Sequence, residues 1–332
     1  MEGVATTVTF GVIALNEKKY LPELLENLLS QTYEKNLIEV VLVDGESEDG
    51  TEQLMQEFKE KHEAEFLAIK VLKNPKRVQP AGWNVVIANA SADVLLRIDA
   101  HARIPQDFIE KNMQCINSGE SVCGGPRENI IDDNSSWKQV LLLAEQSMFG
   151  AGVASYRKDS SQRKYVKSVF HGAYRIDVIR KVGLFNEELL RTEDNEYHFR
   201  VRKEGYRICY DPSIKSYYQT RNSLKRMLKQ KYANGFWVGK TTCRCPGCIS
   251  LFHLVPFAFV LAIILSTLFA VLGCPCIAVA LWSVYGIATL LMTLLAVCSM
   301  KKKHALVVLL PIVFLLLHLS YGVGTFVGIL RR

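Results

Sequence analysis

After Asp211 this 332-residue chain contains no Asp or Glu. All 33 acidic residues lie in residues 1–212, beside 27 of the 40 Lys and Arg, while residues 213–332 hold the other 13 cations alone. The net charge of +7 therefore describes neither part. Charge of either sign is missing from residues 245–300 and, after Lys301-Lys302-Lys303, from residues 305–330. A helix that crosses a bilayer needs about 20 consecutive apolar residues, and soluble cores seldom supply such runs. The first run holds two spans, divided near Gly273-Cys274-Pro275-Cys276, and the second holds one. Internal repeats and low-complexity tracts are missing from the rest. A signal peptide is not expected either, because residues 8–15 are apolar without a basic segment before them or a small-residue cleavage site after.

Positive charge flanks the spans on one side. Three spans that start in the cytoplasm place both the basic residues 215–244 and the triple Lys there, as the positive-inside rule requires. Only Arg331-Arg332 falls outside. The expected organisation is a multi-pass protein of the cell membrane: a cytoplasmic domain over residues 1–212, a basic amphipathic juxtamembrane collar over 213–248 and three transmembrane helices over 249–330. Such a collar suits anionic membrane lipids, each basic residue near the surface contributing about 1 kcal/mol. Nucleic acid is not an expected partner. A reducing cytoplasm argues against structural disulfides among the 9 cysteines. Cys243, Cys245 and Cys248 read as reduced interfacial thiols; with His253 they fit no common zinc spacing.

In the acidic part, strand and helix periodicities alternate. Residues 7–15 read as a strand ended by Asn16-Glu17, and Leu21, Leu24, Leu25, Leu28 and Leu29 recur at helical spacing. Residues 37–43 are almost all apolar, as in a parallel strand buried on both faces. An acid-rich turn over 44–50 leads into a helix from Thr51 to Lys61, then a strand over 66–72, a helix over 80–90 and a strand over 94–98. This rhythm predicts a doubly wound α/β domain. Beyond it the pattern predicts a strand over 121–125, a helix over 137–148, a small-residue mobile segment over 149–155 and a strand over 166–175. A short helix over 176–182, a helix over 193–204 and a basic amphipathic helix over 224–237 follow.

Asp99-Ala100-His101 is placed where an apolar strand ends. Residues two apart in extended chain point the same way, so a carboxylate oxygen and an imidazole nitrogen can share one divalent cation. Ligands of open α/β sheets bind at this edge. A metal holding a nucleotide-sugar diphosphate is the leading reading; a strand-end turn before Ile104-Pro105 is the plain one. Asp44 ends the second strand, either as an acceptor for a bound hydroxyl or N–H or as a turn-former. Asn16-Glu17 lies beside it. Glu193-Asp194 opens a helix, where two acids also complement the helix dipole. Lys76-Arg77 reads either as a diphosphate contact or as a solvated loop, and His171-Gly172 either as a close backbone approach or as a strand bulge.

Taken in order, Asn16-Glu17, Asp44 with Ser47-Glu48-Asp49-Gly50-Thr51, Asn84, Asp99-Ala100-His101, Gly172, Val182-Gly183-Leu184-Phe185-Asn186-Glu187 and Glu193-Asp194 resemble glycosyltransferase family 2. The resemblance covers roughly residues 7–212 and is nearest to the succinoglycan-type membrane transferases. It implies a GT-A fold followed by C-terminal transmembrane helices, and inverting sugar transfer. It implies a donor site of Asn16, Glu17, Asp44, Asn84 and Asp99 for a nucleotide diphosphate sugar, UDP-linked by expectation. Asp99 and His101 would hold Mn2+ or Mg2+; the usual second acid is His101 here, which favours Mn2+. Asp194 would be the base that takes the acceptor's proton, with Glu193 orienting it or binding acceptor. Gln230 and Trp237 lack the spacing of a processive synthase. The expected acceptor is a hydroxyl of a polyprenyl-linked saccharide in polysaccharide synthesis. Two alternatives remain: polyprenyl phosphate itself as acceptor, or a non-catalytic membrane protein that binds nucleotide sugar.

Overall fold

The computed structural model describes residues 6–133, 135–150, 161–220, 223–300 and 304–331. The chain forms two units, Met1–Glu128 with Ser155–Tyr218, and Asn129–Ala154 with Gln219–Arg332. The division does not fall at residue 212 alone, because residues 129–154 go with the apolar part.

The first unit begins with β1 (Val8–Ala14), α1 (Leu21–Leu29), β2 (Ile38–Asp44), α2 (Thr51–His62), β3 (Ala68–Lys73), α3 (Gln79–Asn89) and β4 (Val94–Asp99). Every residue of β2 is buried, as its almost wholly apolar run predicts for a strand covered on both faces. The Leu stripe of α1 packs inward through Leu21, Leu24, Leu25 and Leu28. α3 comes close to β1 at Gly11, where an added Cβ would lie 2.6 Å from a Val86 methyl.

The chain continues through β5 (Ala102–Arg103), α4 (Phe108–Asn117), β6 (Val122–Gly124), β7 (Arg127–Ile130) and, in the second unit, α5 (Ser136–Gln146). It returns through β8 (Lys164–Val166), β9 (Ala173–Arg175), α6 (Ile176–Val182), α7 (Glu193–Lys203), β10 (Ile208–Tyr210) and β11 (Ser216–Gln219). The main sheet has 8 strands in the order β3-β2-β1-β4-β9-β6-β10-β8. β1 to β4 are parallel, and β9 runs against both its neighbours. The chain reverses its lateral direction between β1 and β4, which is where open α/β sheets take ligands. The strand expected over 166–175 is two pieces. β8 pairs with β10 and β9 with β4 and β6, positions that one straight strand cannot occupy.

In the second unit α5 is followed by α8 (Leu224–Arg244), α9 (Val255–Val271), α10 (Cys276–Ser299) and α11 (Leu310–Leu330). Val140, Leu141 and Ala144 of α5 share an apolar core with Met227 of α8 and Leu310, Val313, Phe314 and Leu317 of α11. This burial places α5 with the apolar part. Within that unit Lys231 and Glu145 form a buried ion pair at 2.8 Å. Three helical stretches, Leu251–Val271, Cys276–Ser299 and Ala305–Leu330, are long and apolar enough to cross a membrane. The expected collar helix runs further than Trp237, to Arg244, because its glycines hold it against α11. A Cβ at Gly235 would sit 2.0 Å from the Tyr321 carbonyl oxygen, and one at Gly328 2.0 Å from that of Phe236. Cys245 and Cys248 are joined by a disulfide, which corrects the expectation of reduced thiols for these two, while Cys243 is free; a three-residue turn after α8 brings the pair together. Of the mobile segment expected over 149–155, residues 151–155 lie outside the described residues, as do Lys301-Lys302-Lys303 and Arg332.

Overpacking a close helix contact typically costs about 1–3 kcal/mol. Gly235→Val and Gly328→Val should each lower the thermal midpoint of the detergent-solubilised protein by several degrees. The conservative change Gly286→Ala, where a Cβ meets nothing within 4 Å, should leave it in place.

Candidate active site

Parallel register sets the site's frame. Asp44 pairs with Ala14, and Asp99 with Ile13, so the ends of β1, β2 and β4 deliver Asn16-Glu17, Asp44 and Asp99 to one edge. Asp44 is fully buried. Its Oδ2 accepts from the Ser47 amide at 2.9 Å, while Oδ1 has no partner among the described residues. A buried carboxylate oxygen left open in this way is poised for an incoming N–H or hydroxyl. The surrounding loops are laced together. The Asn16 amide donates to Ser47 Oγ, Asn16 Oδ1 accepts from the Glu48 amide, and the Glu17 amide donates to Thr51 Oγ1, each at 2.9 Å. Asn16 holds φ at 57°, a left-handed conformation that Asn tolerates better than most residues. Asp49 accepts from the Thr51 amide and hydroxyl and from the Lys18 amide, and so holds the loop.

Asn84 has another task than the one expected. Its Nδ2 donates to the Phe185 carbonyl and to Glu187 Oε1, each at 3.0 Å, and its Oδ1 accepts from the Phe185 amide at 2.8 Å. Both amide hydrogens are engaged inside the protein. Asn84 therefore anchors the segment before α7. Lys76 pairs with Glu187 and Arg77 with Glu48, so neither basic side chain stands free for a diphosphate.

Asp99 and His101 do not form the pair that the sequence suggests. His101 turns Nδ1 to Glu17 Oε1 at 3.1 Å and sets its ring edge-on to Tyr218. The imidazole nearest Asp99 is His171, whose Nε2 lies 3.9 Å from Asp99 Oδ2. That is too long for a hydrogen bond. Both ring nitrogens of His171 are buried without a hydrogen-bond partner. Burial pushes the His171 pKa down, against the opposing pull of Asp99, which favours the neutral ring. Burial would raise the Asp99 carboxyl, but the interaction with His171, then His101 and Arg97, holds it below the usual carboxylate range. An ionised carboxylate beside a neutral imidazole with free lone pairs is a donor set for a cation such as Mn2+. Asp99 and His171 fit that cation. The ligand expected from sequence, His101, is engaged with Glu17 instead.

Arg97, two residues before Asp99 on β4, is buried to 4% side-chain exposure and donates from Nη1 to Asp194 Oδ1 at 2.7 Å. Its Cζ lies over the rings of Trp83 and Phe185, 4.4 and 4.5 Å from their centroids. Phe185 in turn stacks on Tyr197 at 4.0 Å. The two acids of the α7 start differ sharply. Asp194 keeps 28% side-chain exposure, whereas Glu193 is buried with Oε2 unpartnered. Burial, then the neighbouring Asp194 charge, raises the Glu193 carboxyl well above its ordinary range. The raised pKa falls on Glu193. Sequence reasoning missed Arg97 and the rings over it, and it read His171-Gly172 as a close backbone approach or a strand bulge rather than as the neighbour of Asp99. The available signal was a lone Arg inside an otherwise apolar strand.

The fold and the sheet edge define a GT-A-type α/β transferase followed by helices able to span a membrane. Residues 9–181 match the family model described as Glycosyl transferase family 2. A dolichyl N-acetyl-alpha-D-glucosaminyl phosphate 3-beta-D-2,3-diacetamido-2,3-dideoxy-beta-D-glucuronosyltransferase of Methanococcus voltae is 30% identical over 330 residues, 98% of this chain and 97% of the relative. The succinoglycan biosynthesis protein ExoA of Rhizobium meliloti (strain 1021) is 27% identical over 240 residues, 70% of this chain and 69% of that protein. The mannosyltransferase PcManGT of Pyrobaculum calidifontis, solved with GDP-Man and Mn2+, has a TM-score of 0.60 at 16% identity, over 99% of this chain and 90% of that one. The chain belongs to glycosyl transferase family 2, and it is a glycosyltransferase.

Removing a metal ligand costs at least about tenfold in affinity, as even outer-shell changes do. Mn2+ titration by calorimetry or electron paramagnetic resonance should show that loss for Asp99→Asn and for His171→Ala. His101→Ala should change Mn2+ affinity less than about threefold, a smaller effect than for a ligand.

Proposed function

We propose that this chain moves a sugar, with inversion, from a UDP-linked donor to a hydroxyl of a saccharide carried on a polyprenyl phosphate. The observation that carries this reading is the joining of two stations through one strand. Arg97 of β4 holds Asp194, and Asp99, two residues on, faces His171 at the same strand's end. Asp44 Oδ1 is open for the uracil N–H or a ribose hydroxyl of the donor. Asp99 and His171 would hold Mn2+ or Mg2+. What the cation supplies is neutralisation of charge on the leaving diphosphate.

In the transfer, the acceptor oxygen attacks C1 of the sugar on the face opposite the diphosphate. The C1–O bond to the nucleotide breaks, and the acceptor's proton passes to Asp194. Nucleoside diphosphate leaves. Arg97 occupies Asp194 Oδ1, which leaves Oδ2 to accept the proton. Glu193 is too buried to meet an acceptor and serves as the neighbour that shapes the start of α7.

The lipid-linked acceptor is supported by the Methanococcus voltae relative, whose name places a dolichyl-phosphate-linked sugar as acceptor and whose length this chain spans almost fully. The ExoA relative supports a role in polysaccharide synthesis. Three apolar helices would keep the enzyme at the bilayer that holds such an acceptor. With basic residues clustered before the first span, the catalytic unit would lie on the cytoplasmic face against anionic lipid headgroups.

The test is a panel of nucleotide sugars with Mn2+ and two synthetic acceptors, a polyprenyl-phosphate-linked monosaccharide and polyprenyl phosphate alone. UDP-sugar consumption is expected only with the saccharide-bearing lipid, with the anomeric configuration inverted in the product. Asp194→Asn should lower kcat by about 100- to 10,000-fold, the usual range for a lost general base. Substantial turnover of Asp194→Asn on bare polyprenyl phosphate would give the acceptor role to that phosphate. UDP binding with no donor consumed would mark a sugar-nucleotide binder without catalysis.

A further inference from the structure

His171 lacks the support that a metal-binding imidazole usually has. Such a ring normally donates its second nitrogen to a carboxylate, a carbonyl or water, and that bond fixes its orientation. Neither nitrogen of His171 has a hydrogen-bond partner among the described residues, and the side chain is buried. Packing must therefore set the angle at which Nε2 faces Asp99 Oδ2. The ring against it is that of Phe170, with centroids 4.4 Å apart and planes tilted by 51°. Phe170 in turn carries a buried cation, Arg127, the first residue of β7.

Arg127 Cζ lies 4.4 Å from the Phe170 ring centroid and 4.2 Å from that of Tyr218. Both distances are well inside the ~6 Å reach of a cation–π contact. The two rings stand at 90°, centroids 5.8 Å apart, and so form a corner for the guanidinium. Tyr218, one wall of that corner, is fixed twice. Its backbone pairs with Ala102 between β11 and β5, and its ring meets His101 edge-on at 5.2 Å. His101 is itself held by Glu17 Oε1 at 3.1 Å. On the Phe170 side the backbone is tied down just after His171, where the Gly172 carbonyl accepts from the Arg97 amide at 3.0 Å.

We propose that Arg127 is a positioning residue for the metal site: seated in the corner of Phe170 and Tyr218, it fixes the Phe170 ring that orients His171 toward Asp99. The proposal rests on Asp99 and His171 being the ligands of the cation.

The chemistry of the side chain suits this task. A guanidinium is planar, keeps its charge and has donors only, so it can lie on a ring face and cannot become a ligand. Its attraction to the negative faces of two rings does for Phe170 what a hydrogen bond would do for a polar neighbour. The charge by itself acts the other way, since it repels a divalent cation bound nearby. Placement and charge thus predict opposite signs. Loss of Arg127 weakens metal binding if the residue orients His171, and strengthens it if only its field matters.

The test uses the full-length protein in detergent, with Mn2+ as the probe and no nucleotide. Arg127→Met keeps an unbranched stem and removes the charge; Phe170→Leu keeps Arg127 and removes the ring. Electron paramagnetic resonance counts free Mn2+, its pulsed form reads the imidazole nitrogen coupling of bound Mn2+, and the thermal midpoint is followed beside them. Both variants should lose about tenfold in Mn2+ affinity, the low end of what outer-shell changes cost. The nitrogen coupling, absent in His171→Ala, should be weaker in both than in the unaltered protein. Arg127→Lys, which returns a cation to the corner, should recover part of the loss. A merely structural role would lower the midpoint and leave the affinity and coupling of the folded protein in place. Affinity within about twofold of the unaltered protein, or a rise in affinity for Arg127→Met, would overturn the positioning role. Should Arg127→Met not fold, Phe170→Leu decides by the same limits. Unchanged Mn2+ affinity in His171→Ala removes the ligand assignment itself; loss there with full affinity in Arg127→Met and Phe170→Leu sinks only the present inference.

Discussion

A buried guanidinium governs the catalytic unit. Arg97 stands in the middle of a sheet at 3% exposure, and it cannot shed its charge. Such a group is tolerated only with a carboxylate and further hydrogen bonds or ring faces around it. Asp194 supplies the carboxylate, and Trp83 and Phe185 supply the faces. Each supply has a structural consequence. Asp194 must begin α7 at the edge where β4 ends, and Phe185 must fold back over the sheet. Asn84 secures that fold-back by engaging both the amide and the carbonyl of Phe185. One charge thereby ties α3, β4, the segment before α7 and α7 together.

The same charge sorts the two acids at the α7 start. Asp194 has a cation and some access to solvent; Glu193 has neither a partner for Oε2 nor exposure. Adjacent carboxylates therefore have different surroundings, one held by Arg97 and one buried. Two residues further along β4 the logic is similar. Asp99 and His171 approach without bonding, an arrangement that leaves lone pairs of both available. Asp44 keeps one oxygen satisfied and one open. The loops that carry these groups hold themselves together through backbone amides to Ser47, Asp49 and Thr51, so the open atoms are not needed for folding.

Much of this was readable in advance. The strand–helix alternation of residues 7–98, the burial of residues 37–43 and the three apolar runs follow from periodicity, which local sequence encodes directly. The order of Asp44, Asp99 and Glu193-Asp194 pointed to the family now established. What stayed hidden involves pairings across long separations. Residues 166–175 look like one strand because their pattern is continuous, yet β8 and β9 lie on opposite sides of β6 and β10. Asn84 entered the expected donor site only through the family resemblance, and its partner in the segment before α7 is 101 residues away. α5 carries an ordinary amphipathic pattern and gives no hint that its apolar face belongs to α8 and α11.

By itself the sequence determined the α/β rhythm, the membrane-spanning lengths, the charge asymmetry and the residue types at the sheet edge. These are properties of neighbouring residues, and hydrophobic periodicity records them. Only the tertiary structure decided which imidazole stands beside Asp99, and which acid is buried and which is held by Arg97. Those assignments depend on distances between segments far apart in the chain. Burial and charge at such a site are set by what the fold brings together, not by what lies next in sequence.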